Sequence, residues 1–371
     1  MQNTSVIRES LSTPVTMKAE VAVAGGGVAG ISAALAAARN GADVLLVEGE
    51  YLLGGLATLG LVTYYLPLCD GRGHQVVFGI PEELLRLSVK HGCEKDRPDP
   101  WLDGGSIGEK TKKRFKAGYN GNLFALECER LLLSEGVRLL YGTRVVSAVR
   151  EGSRVTHLIC ENKSGRFAIE TGRVIDATGD ADVAHLCGAP TALPAHGNIL
   201  AAWYYWYRDG ERRLKMYGGS DIPEDERGSR PEKKKLSETR YSGLDGEENS
   251  RYVIDSHAAL YADWSERRLA EPGIVPDHLA VIPQLRMTRK IAGRATPDVS
   301  DERRAFGDSV GVVSDWRRRG PVYEIPFGSL CPEGVVNLLA AGRIVSVSDA
   351  LWDNTRSIPC CSVTGTAAGT A

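Results

Sequence analysis

The sequence predicts an α/β fold: a Rossmann-like domain whose parallel sheet is held in three layers and carries an antiparallel meander, joined to an α+β region that caps it. Three observations point there. Residues 20–48 read EVAVAGGGVAGISAALAAARNGADVLLVE, a strand, a glycine turn, an alanine-rich helix and a second strand ending in an acid. From Arg144 the apolar residues change to period two, in three short runs separated by Gly- and Ser-containing turns. The chain then returns to a strand at Arg173-Val174-Ile175-Asp176, followed at once by the small residues Ala177-Thr178-Gly179.

The first unit has the chemistry of an adenine-dinucleotide site. Val21–Ala24 reads as a buried strand, and Gly25, Gly27 and Gly30 form G-x-G-x-x-G. The first glycine permits the tight turn, the second lets backbone approach a pyrophosphate, and the third lets helix pack on strand. Ile31–Ala38 supplies a helix whose free N–H groups face the anion. Asp43–Val47 is the second strand, and Glu48 after it is placed to accept from ribose hydroxyls, which disfavours a 2′-phosphate. One helix N-terminus contributes at most about 2 kcal/mol to an anion, whereas nanomolar retention needs about 12 kcal/mol. Other segments must therefore touch the ligand.

Composition narrows the class of protein. A chain of 371 residues with ordinary apolar content can bury a large core and divide into two domains. Its 45 basic and 47 acidic residues give a net charge of −2, which argues against nucleic acid as a partner. Eight cysteines without a C-x-x-C pair indicate neither a zinc site nor a secreted disulfide framework, so a reducing cytoplasm is expected. The long apolar stretch Val21–Ala38 is broken by four glycines, so no membrane span is expected. Residues 1–18 are polar and read as a flexible arm, and the chain stops at Ala371 inside an alanine-rich helix, which reads as a truncation.

Further elements follow in order. Gly54-Gly55-Leu56-Ala57-Thr58 lets backbone pass close to a ligand. Ile80–His91 and Asn122–Glu135 read as amphipathic helices, the second with Leu126, Leu131 and Leu133 inward, and Glu94–Asn120 between them as loop. Val137–Tyr141 resumes a buried strand. Val145–Val149, Val155–Cys160 and Phe167–Glu170 make the meander, and a helix runs to Cys187.

This order of motifs resembles the FAD-dependent oxidoreductases of the glutathione-reductase-like flavoprotein superfamily. The likeness rests on the nucleotide unit, the Gly-Gly segment, the Gly-Thr-Arg-Val strand start, the strand ending in Ala-Thr-Gly-Asp, and the C-terminal runs NLLAAGRIVS, RSIPCC and GTAAG. It implies that Gly25, Gly27, Val28, Ala29 and Gly30 surround the FAD pyrophosphate, with Glu48 and Gly49 at the adenosine ribose. Gly54, Gly55, Ala57 and Thr58 would run toward the flavin, and Arg144 and Val145 would meet the adenine. Ala177, Thr178 and Gly179 would support the nucleotide half. Gly342 and Arg343 would return to the pyrophosphate, while Ile358, Pro359 and Cys361 would present a helix N-terminus to the flavin pyrimidine edge, where its dipole suits negative charge. The implied division is a discontinuous FAD-binding domain of 19–61, 120–190 and 331–371, with 62–119 and 191–330 as the substrate region.

No second G-x-G-x-x-G with a downstream acid occurs, so a dedicated nicotinamide domain is not expected. In the cap, Ile199–Arg208 is an aromatic strand, Arg286, Arg289 and Arg294 could meet a substrate carboxylate, and the basic runs 110–116 and 233–235 read as solvated loop. Three side chains stand out as catalytic candidates: His74 as acid or base, Arg356 as holder of an anionic substrate or the flavin, and Cys361, with Cys360, as a redox thiol. The expected activity is hydride transfer between a small organic substrate and flavin N5, with an electron donor or acceptor of open identity and homo-oligomerisation left open. The alternatives are an NAD-dependent dehydrogenase built on the same nucleotide unit and a flavin-bearing subunit without turnover.

Overall fold

A computed structural model describes residues 6–218 and 235–371; the 233–235 basic run lies outside them except for Lys235. Strand β1 (Val15–Ala24) begins inside the stretch expected to be a free arm, because Val15–Ala19 pair in parallel with residues 168–171 across one register shift. Helix α1 (Val28–Arg39) follows, then β2 (Val44–Val47), β3 (Tyr64–Tyr65) and α2 (Ile80–Ser88). The segment expected as loop after it folds into α3 (Asp99–Leu102), α4 (Ile107–Lys112), started by a Ser106/Glu109 capping box, and β4 (Ala117–Gly118), paired with β3.

Next come α5 (Gly121–Ser134), β5 (Arg138–Leu140), β6 (Arg144–Glu151), β7 (Arg154–Asn162), β8 (Gly165–Asp176) and α6 (Asp182–Leu186). Helix α5 turns Phe124, Cys128 and Leu132 inward, spaced i, i+4, i+8, while Leu126 and Leu133 are exposed, which corrects the expected inward face. The chain carries apolar residues on both sides of this helix, and its packing on α2 selects one of them.

The meander and the parallel sheet meet in one long strand. The last meander strand and the strand ending at Asp176 are a single 12-residue β8, not two elements. Its first half pairs antiparallel with β7, while its second half, Val174–Asp176, pairs in parallel with β16 (Leu338–Ala340). β1 runs beside both halves. At the fork the buried Asn337 amide donates to the Val155 and Gly172 carbonyls at 2.8 and 2.9 Å and accepts from the Val155 N–H at 2.9 Å. It satisfies backbone groups that the parting strands would leave unpaired.

The chain continues with β9 (Thr191–Ala192), β10 (Tyr204–Arg208), β11 (Glu211–Lys215), the 25-residue helix α7 (Gly246–Ala270), β12 (Val275–Leu279), β13 (Lys290–Ile291) and the hairpin β14 (Ser309–Ser314) and β15 (Val322–Pro326). β10 is the centre of a β11-β10-β12 sheet against α7. After β16 the chain closes with α8 (Asp349–Thr355) and α9 (Ile358–Thr370). The main core includes α1, α2, α5, α9, β3 and the β14–β15 hairpin; two smaller apolar clusters lie under residues 200–285.

Sheet order β5-β2-β1-β8, with β16 beyond, brings the carboxyl ends of β1, β2, β8 and β16 to one edge. In an open α/β sheet that edge, where the connections diverge, is where a ligand crevice forms. Asp176 closes β8 there, wholly buried, accepting from Thr178 Oγ1 at 2.7 Å and from the Thr178 and Ala184 N–H groups at 3.1 and 2.9 Å. Burial pushes its carboxyl from 3.8 up to about 6, the three hydrogen bonds opposing. The folded state thus holds the proton more tightly than the unfolded one, so stability is greatest below 3.8 and is lost as pH rises through about 6. Wild type should lose roughly 3 kcal/mol relative to Asp176→Asn between about pH 4 and pH 7 in urea titrations. A pH-independent difference would remove this account.

Candidate cofactor site

The glycine turn is shaped by three different close approaches. Gly25 has φ +102°, and a Cβ there would lie 2.4 Å from the Ala177 carbonyl oxygen. One on Gly30 would lie 1.8 Å from the Gly25 oxygen, so helix α1 can sit on β1 only without a side chain. Gly27 is different: a Cβ there meets nothing within 4 Å and would project into open space. Gly27 is also the N-cap of α1, with no side-chain cap and no acid in the first turn. The first-turn N–H groups therefore lack an intrahelical acceptor and face that space.

A second helix opens onto the same space. Helix α9 starts after Ser357 with proline in its first turn, no side-chain cap and no acid. It lies along α1 at very short range, because a Cβ on Gly365 or Gly369 would lie 2.2 Å from the Ala29 oxygen or 2.1 Å from the Ala33 oxygen. Ser32 and Ser362 hydroxyls join the two helices at 2.7 Å. The G-T-A-A-G run is thus a helix-crossing motif that brings both N-termini to one place.

Between them runs a groove of about 120 Å³ that opens to solvent. It brings together Gly27, Val28, Ala29, Gly54, Ala57, Ala177, Gly179, Gly342, Arg343, Arg356, Ile358 and Cys361. Gly54 is fixed beside the glycine turn by its N–H to the Gly26 oxygen at 2.8 Å. Gly342, at φ +87°, donates to Thr364 Oγ1 at 2.9 Å and abuts Ala29. The Arg343 guanidinium covers Gly179, donating to its carbonyl at 2.6 Å and to Asp180 at 2.8 Å. The charged residues of the lining are Arg286, Arg343 and Arg356, with no carboxylate among them.

Other expected residues take supporting positions. Thr58 turns away from the groove, its hydroxyl donating to the Leu53 carbonyl at 2.6 Å beneath Gly54. Thr178 turns back onto Asp176, Gly55 backs Gly27, and Pro359 is buried in the α9 start. Glu48 accepts from the Gly26 N–H at 2.5 Å and the Glu50 N–H at 2.8 Å, so the carboxylate braces the glycine turn itself; burial raises its pKa. Gly49, Arg144 and Val145 lie with it beyond the lined section, where Thr143 N–H reaches the Glu48 carbonyl at 3.0 Å and Arg144 pairs with Glu50 at 3.2 Å. β6 is an edge strand, which leaves one side of the Val145 backbone open.

The three catalytic candidates separate. His74 is exposed in a turn whose backbone pairs with Asp70, and it is not part of the groove. Arg356 lines the groove, pairs with Asp353, and keeps a buried Nε without a hydrogen-bond partner. Cys361 lines the groove while Cys360 is buried in the main core. Adjacent helical residues diverge by about 100°, and both thiols are free, with no disulfide between them. Burial pushes the Cys361 thiol up to about 12, against the lowering effect of Arg343 and Arg356. It stays a neutral thiol at pH 7, and Cys361→Ala should retain cofactor and turnover within about twofold. Loss of turnover with the cofactor still bound would restore a chemical role to the thiol.

Val62, Tyr64 and Leu66, not among the residues expected from the sequence, form an apolar wall of the groove. Their i, i+2, i+4 spacing after the Gly-Gly segment was the available signal. Tyr64 donates to Asp96, and burial raises its phenol pKa. Of the cap arginines, Arg286 reaches the groove and lies 4.8 Å from the Trp203 ring, whereas Arg289 pairs with Asp182 at 2.8 Å.

A family model described as FAD dependent oxidoreductase matches residues 20–203 and 205–371. The chain is 28% identical over 211 residues to the NADP(+)-dependent formate dehydrogenase subunit beta of Moorella thermoacetica, covering 51% of this chain and 30% of that protein. It therefore spans under a third of that relative. Among solved structures it is similar to a geranylgeranyl bacteriochlorophyll reductase-like protein from Thermoplasma acidophilum, with TM-score 0.49, 15% identity, and 94% and 76% of the two chains covered. The 3-ketosteroid-delta4-(5alpha)-dehydrogenase from Rhodococcus jostii RHA1 gives TM-score 0.44 and 15% identity over 96% and 97% of the chains.

Proposed function

Because the chain belongs to the FAD-dependent oxidoreductase family, we propose that it holds FAD along the groove and exchanges a hydride between the flavin and a small anionic organic substrate. The observation that carries this reading is the lining itself: glycine backbone at 27, 54, 179 and 342, two uncapped helix N-termini, and three arginines with no carboxylate. A pyrophosphate fits beside Gly27, where open space takes the place of a side chain. Gly27–Gly30, Gly342 and Arg343 would hold it, and Glu48 would place the ribose. The α9 N-terminus would face the flavin pyrimidine edge.

When bound, FAD supplies the two-electron chemistry. The chain's own residues orient and exclude. Val62, Tyr64 and Leu66 shield the groove from water, and Arg356 and Arg286 hold the substrate's anionic group by charge-assisted hydrogen bonds. Among the described residues no second glycine-rich strand–turn–helix unit is present for a nicotinamide nucleotide.

Purified protein should be yellow and release FAD identifiable by mass spectrometry. Anaerobic flavin bleaching would then screen small carboxylates, and Arg356→Gln should keep FAD while slowing bleaching by active carboxylates at least about tenfold. A colourless protein that binds NAD would overturn the reading. A second reading, a flavin-bearing subunit that passes electrons to a partner protein, is favoured by the likeness to a dehydrogenase β subunit. It gains if reduced flavin is reoxidised only in the presence of another protein.

A further inference from the structure

The basic run 110–116 is not a solvated loop. Helix α4 begins it, Trp101 and Phe115 stack at 5.2 Å beneath it, and the Lys110 ammonium lies 5.2 Å from the Trp101 ring. Buried Arg114 ties the run to a distant segment, donating to the Asp315 and Trp316 carbonyls at 2.7 and 3.0 Å. From that segment Arg319 returns to the Thr111 carbonyl at 2.6 Å and the Gly71 carbonyl at 3.3 Å. Arg72 lies against Gly320, where a Cβ would fall 2.7 Å from its guanidinium. Three remote stretches, 70–74, 107–116 and 315–320, therefore form one rigid cationic face.

The charge on this face is unbalanced. Arg72, Lys110, Lys112 and Arg319 form no ion pair among the described residues, although most arginines elsewhere in the structure do. The three stretches carry nine lysines and arginines against three acids, Asp70, Glu109 and Asp315, and Lys112 lies close enough to Glu109 to lower its pKa. Asp70 accepts from the Arg72 and His74 N–H groups, buried Asp315 from the Arg317 and Arg318 N–H groups, Asp99 pairs with Arg97 and Lys113, and Glu109 closes the α4 capping box. Burial lowers the Arg114 pKa, and Arg319 beside it acts in the same direction. Exposed Ile107, 61% accessible, opens α4 beside the 70–74 stretch, where a Cβ on Gly73 would lie 2.9 Å from its Cγ2. A cluster of cations of this kind complements a negatively charged protein surface and raises its rate of encounter.

We propose that this face docks an acidic protein partner through the cations Arg72, Lys110, Lys112 and Arg319. It adjoins the groove at two points. The Lys116 ammonium lies 5.1 Å from the ring of groove-lining Tyr64, and Arg318–Asp315–Arg317–Asp353–Arg356 form a chain of ion pairs from this face to the groove. A partner seated here is held beside the groove mouth. A nucleic-acid duplex fits less well, because the patch is short, carries interspersed acids and sits on a chain of net charge −2.

The test is binding, read without any turnover, so its failure is separate from failure of the flavin assignment. A fluorescent polyglutamate peptide of about 20 residues serves as the carboxylate probe in anisotropy titrations. Binding should weaken about tenfold between about 20 and 200 mM salt, and about tenfold at low salt in Arg72→Gln/Lys112→Gln/Arg319→Gln. Lys112→Gln alone, at an exposed position without an ion pair, should give a smaller loss in the same direction with unchanged circular dichroism. Equal binding by wild type and triple variant would overturn the proposal. So would tighter binding of duplex DNA, or of phosphatidylglycerol vesicles, than of polyglutamate to the same residues.

Discussion

Gly27→Val is expected to leave the apoprotein folded and to abolish FAD retention. The two parts have separate physical causes. A Cβ at Gly27 meets no protein atom within 4 Å, and its φ of −65° suits any residue, so the substitution strains nothing in the fold. The same side chain would occupy the space in front of the α1 N-terminus, where the pyrophosphate's approach to backbone N–H groups is needed. FAD affinity should fall by more than about 100-fold, or about 2.7 kcal/mol. Equilibrium dialysis against FAD, with thermal unfolding of the apoprotein as control, measures both parts. Retained FAD at wild-type affinity would contradict the pyrophosphate assignment.

Gly365→Val is expected to do the reverse and damage the fold itself. Its Cβ would sit 2.2 Å from the Ala29 oxygen, so α9 has to move away from α1 and lose the Ser32–Ser362 hydrogen bond. Overpacking of this kind costs roughly 1–3 kcal/mol or more, and the displaced N-terminus of α9 also carries Ile358 and Cys361 out of the groove. We expect Tm to fall by about 5 °C or more, with FAD lost as a consequence. Gly108→Ala is the control, since a Cβ there meets nothing within 4 Å; it should be neutral or mildly stabilising through helix propensity. Equal Tm values for the two variants would show that the α1–α9 approach is not tight.

The outcomes at Gly25, Gly27 and Gly30 show how far local sequence reasoning reached. The fingerprint reports three backbone requirements that are set within a few residues of chain, and each has its own spatial counterpart. The meander was legible for the same reason, because alternation is a local property of a half-buried strand. The inward face of α5 was not legible, since Leu126 and Leu133 satisfy the same period as Phe124 and Cys128 and only α2 distinguishes them. Glu48 follows β2 as expected, and its carboxylate is directed to the Gly26 and Glu50 N–H groups.

The sequence by itself determined the dinucleotide unit, the alternating meander and the family, because these depend on steric rules acting over short stretches and on motif order. Tertiary structure alone decided three further things. It joined two expected strands into β8 and set Asn337 in the fork, turned G-T-A-A-G into a helix crossing, and sorted Arg356 and Cys361 into the groove but His74 out of it. It also gathered Arg72, Lys112 and Arg319 onto one face. Each of these depends on distances between residues far apart in the chain, set by packing, which no local pattern encodes.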